Sequence, residues 1–284
     1  MFGKTRQAWY VNQWSREDDT LGNSIVIKRV KEIREKMPRI GTRKLYHMLE
    51  PVLEEHQIRI GRDKLFDLLE DHGLLVRRRK RRKVSTTDSN HPFRRYPNLT
   101  KGMRVLGPNQ LWVSDITYIR LTNGFCYLSL ITDAYSRKIV GYCLYPTLQK
   151  EGPIMALQQA LNGKDASTQM LMHHSDRGRQ YCCDAYVGIL SSNKIVISMT
   201  EKGDPYENAI AERVNGILKD EFMLDNSFVS YEYALTAVNN AVVTYNTDRP
   251  HTSCNYQPPD LTHQQYGPQL MRWKERKRKK PIIE

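Results

Sequence analysis

Near residue 109 the hydrophobic pattern of the chain changes period, and the change separates a helical part from a part that contains a sheet. Upstream, Ile25, Ile27, Val30, Ile33 and Met37 recur at near-helical spacing, and Pro38 ends that run because it has no N–H to continue the helix. A further short helix is expected over 4–16. GTRKLYHMLEPVL places Leu45, Met48 and Leu49 on one face, and GRDKLFDLLEDHGLL carries Leu65, Phe66, Leu68 and Leu69 on a helix that Gly73 terminates. Short helices joined by Gly-containing turns, with Arg and Lys on their outer faces, predict a helix-turn-helix-like module over 1–76. Downstream, NQLWVSDITYIRL alternates, with Val113, Asp115, Thr117 and Ile119 on one side of a strand. Asn123-Gly124 signals a hairpin into FCYLSLITDAYS, and RKIVGYCLYP makes a third strand bounded by Pro146. Then come a helix over 151–162, a strand over 170–175, a helix over 181–192, the short strand IVIS, a Gly/Pro loop, and helices over 207–222 and 230–247. Three antiparallel strands followed by alternating helix and strand predict an α/β fold, a mixed five-stranded sheet with helices on its faces. Such a unit is expected to fold by itself over 105–268. No internal repeat is read.

Composition narrows the partner. Lys and Arg number 44 against 31 Asp and Glu, a net charge of +13. That excess points to a polyanion, nucleic acid ahead of an anionic membrane surface. Residues 1–104 hold 25 Lys/Arg against 13 Asp/Glu, residues 105–271 hold 12 against 16, and residues 272–284 hold 7 against 2. A protein that only coats DNA would be basic throughout. A mildly acidic middle between basic arms suits a carboxylate metal site inside a DNA-binding protein, and equally an ordinary near-neutral domain with basic ends. Seven consecutive cations, Arg77, Arg78, Arg79, Lys80, Arg81, Arg82 and Lys83, open a polar, proline-punctuated linker over 77–104. Such a run serves as a solvated tether, a nuclear-targeting signal or a phosphate contact, and the last is favoured beside a helix-turn-helix candidate. A basic tail follows over 269–284. No run of 18 apolar residues is present and the start lacks an apolar signal region, so neither a spanning helix nor secretion is expected. Five Cys without a C-x-x-C pair read as reduced thiols in the cytoplasm.

Three acids stand out by their setting. Asp115 lies within an apolar strand, where a charge is costly unless paired or bound to a cation. Asp176 follows the strand MLMHHS, and Glu212 lies on the helix ENAIAERVNGILKDEF, with 35 residues between them. On that helix Ile210, Val214 and Ile217 form a core stripe, whereas Asn208, Glu212, Asn215 and Lys219 form a polar one. A stripe of this kind also suits a plain exposed face. Glu207 competes with Glu212 but opens the helix, where an acid suits the dipole. Asp133 reads as a turn residue. His173, His174, Cys182 and Cys183 do not have structural zinc spacing, and His174 reads as a strand histidine beside Asp176.

WVSDITYI, LSLITDAYSRKIVGY, HHSDRGRQY, KGDPYENAIAERVNGILKDE and YNTDRPH, taken in order, resemble the successive signatures of insertion-sequence transposases of the OrfB type, in the third insertion-sequence family. The likeness runs from about residue 23 to about residue 262. It implies a ribonuclease-H-like core similar to retroviral integrase, with Asp115, Asp176 and Glu212 as catalytic metal ligands. It implies two Mg²⁺ ions, with Mn²⁺ as substitute, as hard oxygen ligands favour. Lys219 maps onto a position contacting DNA near the reacting end. Asn208 on the same stripe and the cations 77–83 complete the expected DNA-binding set. The implied reaction is DNA cleavage and strand transfer at element ends (transposition and integration). The expected partners are double-stranded DNA ends and target, other copies of the chain in a homo-oligomer, and an upstream-frame partner or fusion. A nucleoid-associated location in the bacterial cytoplasm is implied, with no membrane partner. After Arg249, Pro250 and His251 the wording departs from the family pattern.

Overall fold

A computed structural model of the protein describes residues 6–77, 91–164, 170–201 and 208–269, with side chains from residue 20 onward. Three helices come first: α1 (Arg6–Lys36), α2 (Thr42–Glu55) and α3 (Arg62–Asp71). The two separate helices expected over 4–37 form one: no proline lies between 16 and 24, and the helix runs through Gly22 and Asn23 despite their low propensity. Gly73 ends α3 as expected. Its φ of +64° is open to glycine at no steric cost, and it lets the Gly73 and Leu74 N–H groups donate to Glu70 and Leu69 carbonyls at 2.9 and 2.7 Å.

A repeat is present after all. RIGTRKLYHMLE (39–50) and RIGRDKLFDLLE (59–70) share Arg, Ile, Gly, Lys, Leu, Leu and Glu at matching places. The shared apolar positions have one use in both copies: Ile40, Leu45 and Leu49, and likewise Ile60, Leu65 and Leu69, are buried. The second copy also corrects the expectation of basic outer faces. The exposed residues of α3 are Arg62, Asp63, Lys64, Asp67, Glu70 and Asp71, four acids to two bases.

The sheet is built from β1 (Leu111–Leu121), β2 (Gly124–Asp133), β3 (Ile139–Tyr145), β4 (Met172–Ser175), β5 (Val196–Met199) and β6 (Ser227–Phe228). Its order is β3-β2-β1-β4-β5, with β6 pairing to the far end of β1. β1, β2 and β3 are antiparallel, whereas β4 and β5 run parallel to β1 and β4 in turn. The expected mixed sheet is therefore present, with a sixth strand whose two residues are too short to show a period. The helices are α4 (Glu151–Asn162), α5 (Arg179–Cys182), α6 (Asp184–Ser192), α7 (Ala209–Glu221), α8 (Tyr231–Thr247) and α9 (Pro259–Thr262). The single helix expected over 181–192 is broken by the extended backbone of Cys183, at φ −68° and ψ 147°.

Alternation sorts the sheet into two faces. Trp112, Ile116 and Ile131 pack with Leu157 of α4 and Tyr186 of α6. Ile119, Leu128 and Leu130 pack on the other face with Val214 and Ile217 of α7 and Val238 and Val242 of α8. That second cluster also contains Leu45, Leu49, Leu65 and Leu69. The N-terminal helices thus share one core with α7 and α8. No described helix is long and apolar enough to cross a membrane.

Candidate active site

Strand register brings the first two acids together. β1 and β4 pair in parallel at Leu111↔Met172, Trp112↔His173 and Val113↔His174, and β4 ends at Ser175. Asp115 and Asp176 each lie two residues beyond the last pair, at the carboxyl end of β4, where the two strands part. In mixed sheets such points are where ligand sites form. Asp115 is further tied down on both oxygens: Ile116 N–H donates to Oδ1 at 2.9 Å and Asn215 Nδ2 donates to Oδ2 at 2.7 Å. Asp176 Oδ1 accepts from Gly178 N–H at 2.9 Å. A Cβ at Gly178 would stand 3.0 Å from that same oxygen, so a larger residue there would press on the carboxylate.

Burial pushes the Asp115 carboxyl up to about 7, and the neighbouring Asp176 charge pushes in the same direction. The hydrogen bonds from Asn215 and Ile116 oppose this, and Glu212 adds a smaller push upward. Asp176 and, more weakly, Glu212 are therefore near enough for their charges to act on Asp115. Glu212 is exposed, in the first turn of α7. Among the described residues no three His, Cys, Asp or Glu side chains are gathered closely enough to hold a metal ion as they stand.

The polar stripe of α7 lies along β1. Asn208 Nδ2 donates to the Ser114 carbonyl at 2.9 Å, Asn215 holds Asp115, and Lys219 Nζ sits 3.7 Å from the centre of the Tyr118 ring. Asn208 was expected among the DNA contacts, and here its amide is engaged with β1. It is buried, and its amide fills the edge of β1 that β4 leaves uncovered. Asn215 was visible in the sequence only as one member of the stripe. The β1–α7 contact makes it the residue that orients Asp115. Arg77 is exposed and its carbonyl accepts from Arg39 Nη2 at 2.7 Å. Arg78, Arg79, Lys80, Arg81, Arg82 and Lys83 lie outside the described residues, as does Glu207.

Neighbouring candidates have other duties. Asp133 is fully buried and caps the turn after β2, accepting from the N–H groups of Asn109, Tyr135 and Ser136 at 2.7, 3.1 and 2.8 Å. His174 Nδ1 pairs with Ser198 Oγ at 2.9 Å on the next strand. His173 Nε2 lies 2.7 Å from Ser114 Oγ and 2.9 Å from Tyr186 Oη, and burial lowers its pKa to about 3. It is a neutral core histidine behind the site. The YNTDRPH segment also resolves into contacts. Asn246 donates to and accepts from the Ile139 backbone at 3.0 Å each, Arg249 grips Glu221, and His251 Nδ1 accepts from Ser253 N–H at 3.2 Å.

Two family models, both described as integrase core domain, match residues 106–205 and 193–259. The 31 kDa protein of insertion element IS600 from Shigella sonnei is 32% identical over 270 residues, covering 94% of this chain and 97% of that protein. The transposase for IS904 from Lactococcus lactis is 29% identical over 232 residues, 76% of this chain and 91% of that protein. The transposase InsF for IS3A from Escherichia coli is 35% identical over 155 residues, 54% of each chain. Among solved structures, the HTLV-2 integrase catalytic core domain in complex with magnesium matches at 20% identity and TM-score 0.45, covering 56% of this chain and 99% of that one. A chain of a simian T-cell lymphotropic virus intasome, solved in complex with PP2A regulatory subunit B56 gamma, matches at 18% identity and TM-score 0.48, covering 86% of this chain and 76% of that one. The sheet order is that of the expected ribonuclease-H-like core, and the two integrase-core models with the IS600 relative show that the chain belongs to the insertion-sequence transposases of the OrfB type.

Proposed function

We propose that this transposase cleaves DNA strands at the ends of its insertion sequence and joins the freed 3′-hydroxyls to target DNA, with Asp115, Asp176 and Glu212 as the acids that hold divalent cations. The observation that carries the reading is Asp115. A carboxyl set in a central strand, raised to about 7 by burial and by a second carboxylate, is unfavourable in the protein alone and suits a cation ligand. The donors are all carboxylate oxygens, a hard set that matches Mg²⁺ or Mn²⁺. Two such ions would supply activation of the attacking oxygen and neutralisation of the departing one. The protein's own part is to hold the acids. Asn215 and the Ile116 N–H fix the Asp115 carboxylate, and the Gly178 N–H fixes that of Asp176. Water attacks the first phosphodiester, releasing a 3′-hydroxyl, and that hydroxyl attacks the second in line. In this reading the chain works as a homo-oligomer on double-stranded DNA, with an upstream-frame partner or fusion supplying further DNA-binding surface.

The test is an assay of cleavage and joining on duplex DNA carrying the sequences that flank the gene in its genome. Products with new 3′-hydroxyl ends, formed in Mg²⁺ and absent in EDTA, are expected. Binding without cleavage in either Mg²⁺ or Mn²⁺ would leave a DNA-binding protein with an inert core.

Lys219 offers a separate check. Lys219→Ala removes a cation one helical face away from the Ile210/Val214/Ile217 stripe and costs the fold about 0.5–1 kcal/mol of cation–π contact with Tyr118. The expected result is weaker binding of element ends, with the slope of log affinity against log salt reduced by about 0.9, the share of one phosphate. A large fall in thermal stability with unchanged end-binding would show a packing role instead.

A further inference from the structure

The last turn of α7 runs against helix electrostatics. Asp220 and Glu221 add two negative charges where the backbone dipole is already negative, and Glu221 is buried. Three cations answer them. Arg249, with 1% of its side chain exposed, donates from Nε to Glu221 Oε2 at 2.8 Å and from Nη2 to Oε1 at 2.9 Å. Lys44 Nζ reaches the same Oε1 at 2.6 Å. Arg39 Nη1 pairs with Asp220 at 3.0 Å, and the Arg39 N–H donates to the Glu221 carbonyl at 3.0 Å. Arg39 and Lys44 belong to the first repeat copy, whereas Arg249 follows α8. In the second copy the matching Arg59 and Lys64 are exposed, so this use of the pair is particular to the first.

Buried ion pairs are weak sources of stability compared with apolar packing, and their better-attested use is to fix one arrangement. The arrangement at stake here is the seat of α7. Glu212 lies nine residues before Glu221 on a rod that rises about 1.5 Å per residue. Asn215, between them, holds Asp115. A shift or rotation of the α7 C-terminus is therefore transmitted to the acids. We propose that Glu221, gripped by Arg249 from the core and by Lys44 from the N-terminal helices, is the positioning residue that seats α7 on β1, so that docking of the N-terminal helices sets Glu212 and Asn215 relative to Asp115. This rests on the three-acid reading of the site.

The test uses the full chain with Lys44→Met. That change removes one arm and leaves the bidentate Arg249–Glu221 pair, so the carboxylate stays partnered. Hydrogen exchange of α7 amides is expected to quicken about tenfold or more, as loss of a charged hydrogen bond implies, with β1 and β2 amides unchanged. Cleavage at saturating DNA is expected to fall about 10- to 100-fold, the scale of a displaced catalytic group, at unchanged half-saturating DNA. Lys44→Arg should restore both. If Lys44→Met does not yield folded protein, Lys44→Gln keeps a donor to Glu221 without the charge and is read the same way. Unchanged α7 exchange, or quickening spread equally over β1 and β2, overturns the proposal. Absence of cleavage by the parent chain would instead sink the three-acid reading, and the exchange measurement would still decide whether Lys44 seats α7.

Discussion

Asp115→Asn is expected to abolish strand cleavage while making the divalent-free protein more stable at pH 8. The two effects have one cause. Folded, Asp115 holds its proton up to about pH 7, whereas an ordinary aspartate releases it near 3.8. A raised carboxyl pKa means that the folded state binds the proton more tightly than the unfolded state. The contribution of this group to stability is therefore most favourable below pH 3.8, declines between 3.8 and 7, and is least favourable above 7. At pH 8 the cost is on the order of 2–4 kcal/mol, which asparagine removes while keeping the shape and a partner for Asn215. Urea unfolding in EDTA should show the variant more stable than the parent at pH 8 and the gap narrower at pH 5. Activity should fall at least about a thousandfold, the several kcal/mol assigned to charge stabilisation in a two-metal site. Asp176→Asn and Glu212→Gln share the loss of activity in the proposed site. Near-normal joining by any of the three in Mg²⁺ removes that residue from the triad. An Asp115→Asn protein less stable than its parent at pH 8 would show that the carboxylate is already compensated within the protein.

Deleting residues 1–104 is expected to cost the protein its fold rather than only its DNA affinity. Read as a sequence, the strands and helices after 105 look self-sufficient. In the structure, Leu45, Leu49, Leu65 and Leu69 share one core with Val214, Ile217, Val238 and Val242. Each fully buried aliphatic side chain is worth about 1.5–3 kcal/mol, so uncovering this face removes several such contributions. It also strips Arg39 and Lys44 from Asp220 and Glu221. The truncated chain should aggregate or melt at least about 10 °C below the full one, since 1 kcal/mol is worth roughly 2–4 °C at this size. A soluble truncation with an unchanged melting point would show that α7 and α8 close their own core. For the DNA question the better probe is alanine replacement of Arg77 through Lys83 in the full chain, which should flatten the salt slope by about 0.9 for each phosphate that these cations neutralise.

How much of this was legible beforehand depends on how far each feature reaches along the chain. Strand alternation in 109–121, the hairpin at Asn123-Gly124, the helix over 151–162 and the Gly73 stop are set within a few residues, and all are found close to where the pattern places them. The three acids were also legible, Asp115 from its apolar strand and the others from ordered motifs. The union of α1 into a single helix was not legible because Asp18, Asp19, Thr20, Gly22 and Asn23 between the two apolar runs are poor helix formers, which locally argues for a break. The 39–50 and 59–70 repeat was missed because two copies of one helix do not make the periodic array that catches the eye.

Other features depend on partners distant in the chain. The polar stripe on α7 was equally consistent with an exposed face. Only its packing along β1 separates buried Asn208 and Asn215 from exposed Glu212. Arg249 read as part of a family motif, and its bond to Glu221 joins positions 28 residues apart, while Lys44 joins Glu221 across 177. Local sterics and hydrophobic period act between near neighbours, so the residues alone were enough to specify most of the elements and the mixed sheet, and to single out the three acids as candidates. Which acid is raised, which amide orients it and which cations seat its helix depend on burial and on charges brought together from distant segments. Those quantities exist only once β1, β4 and α7 have packed.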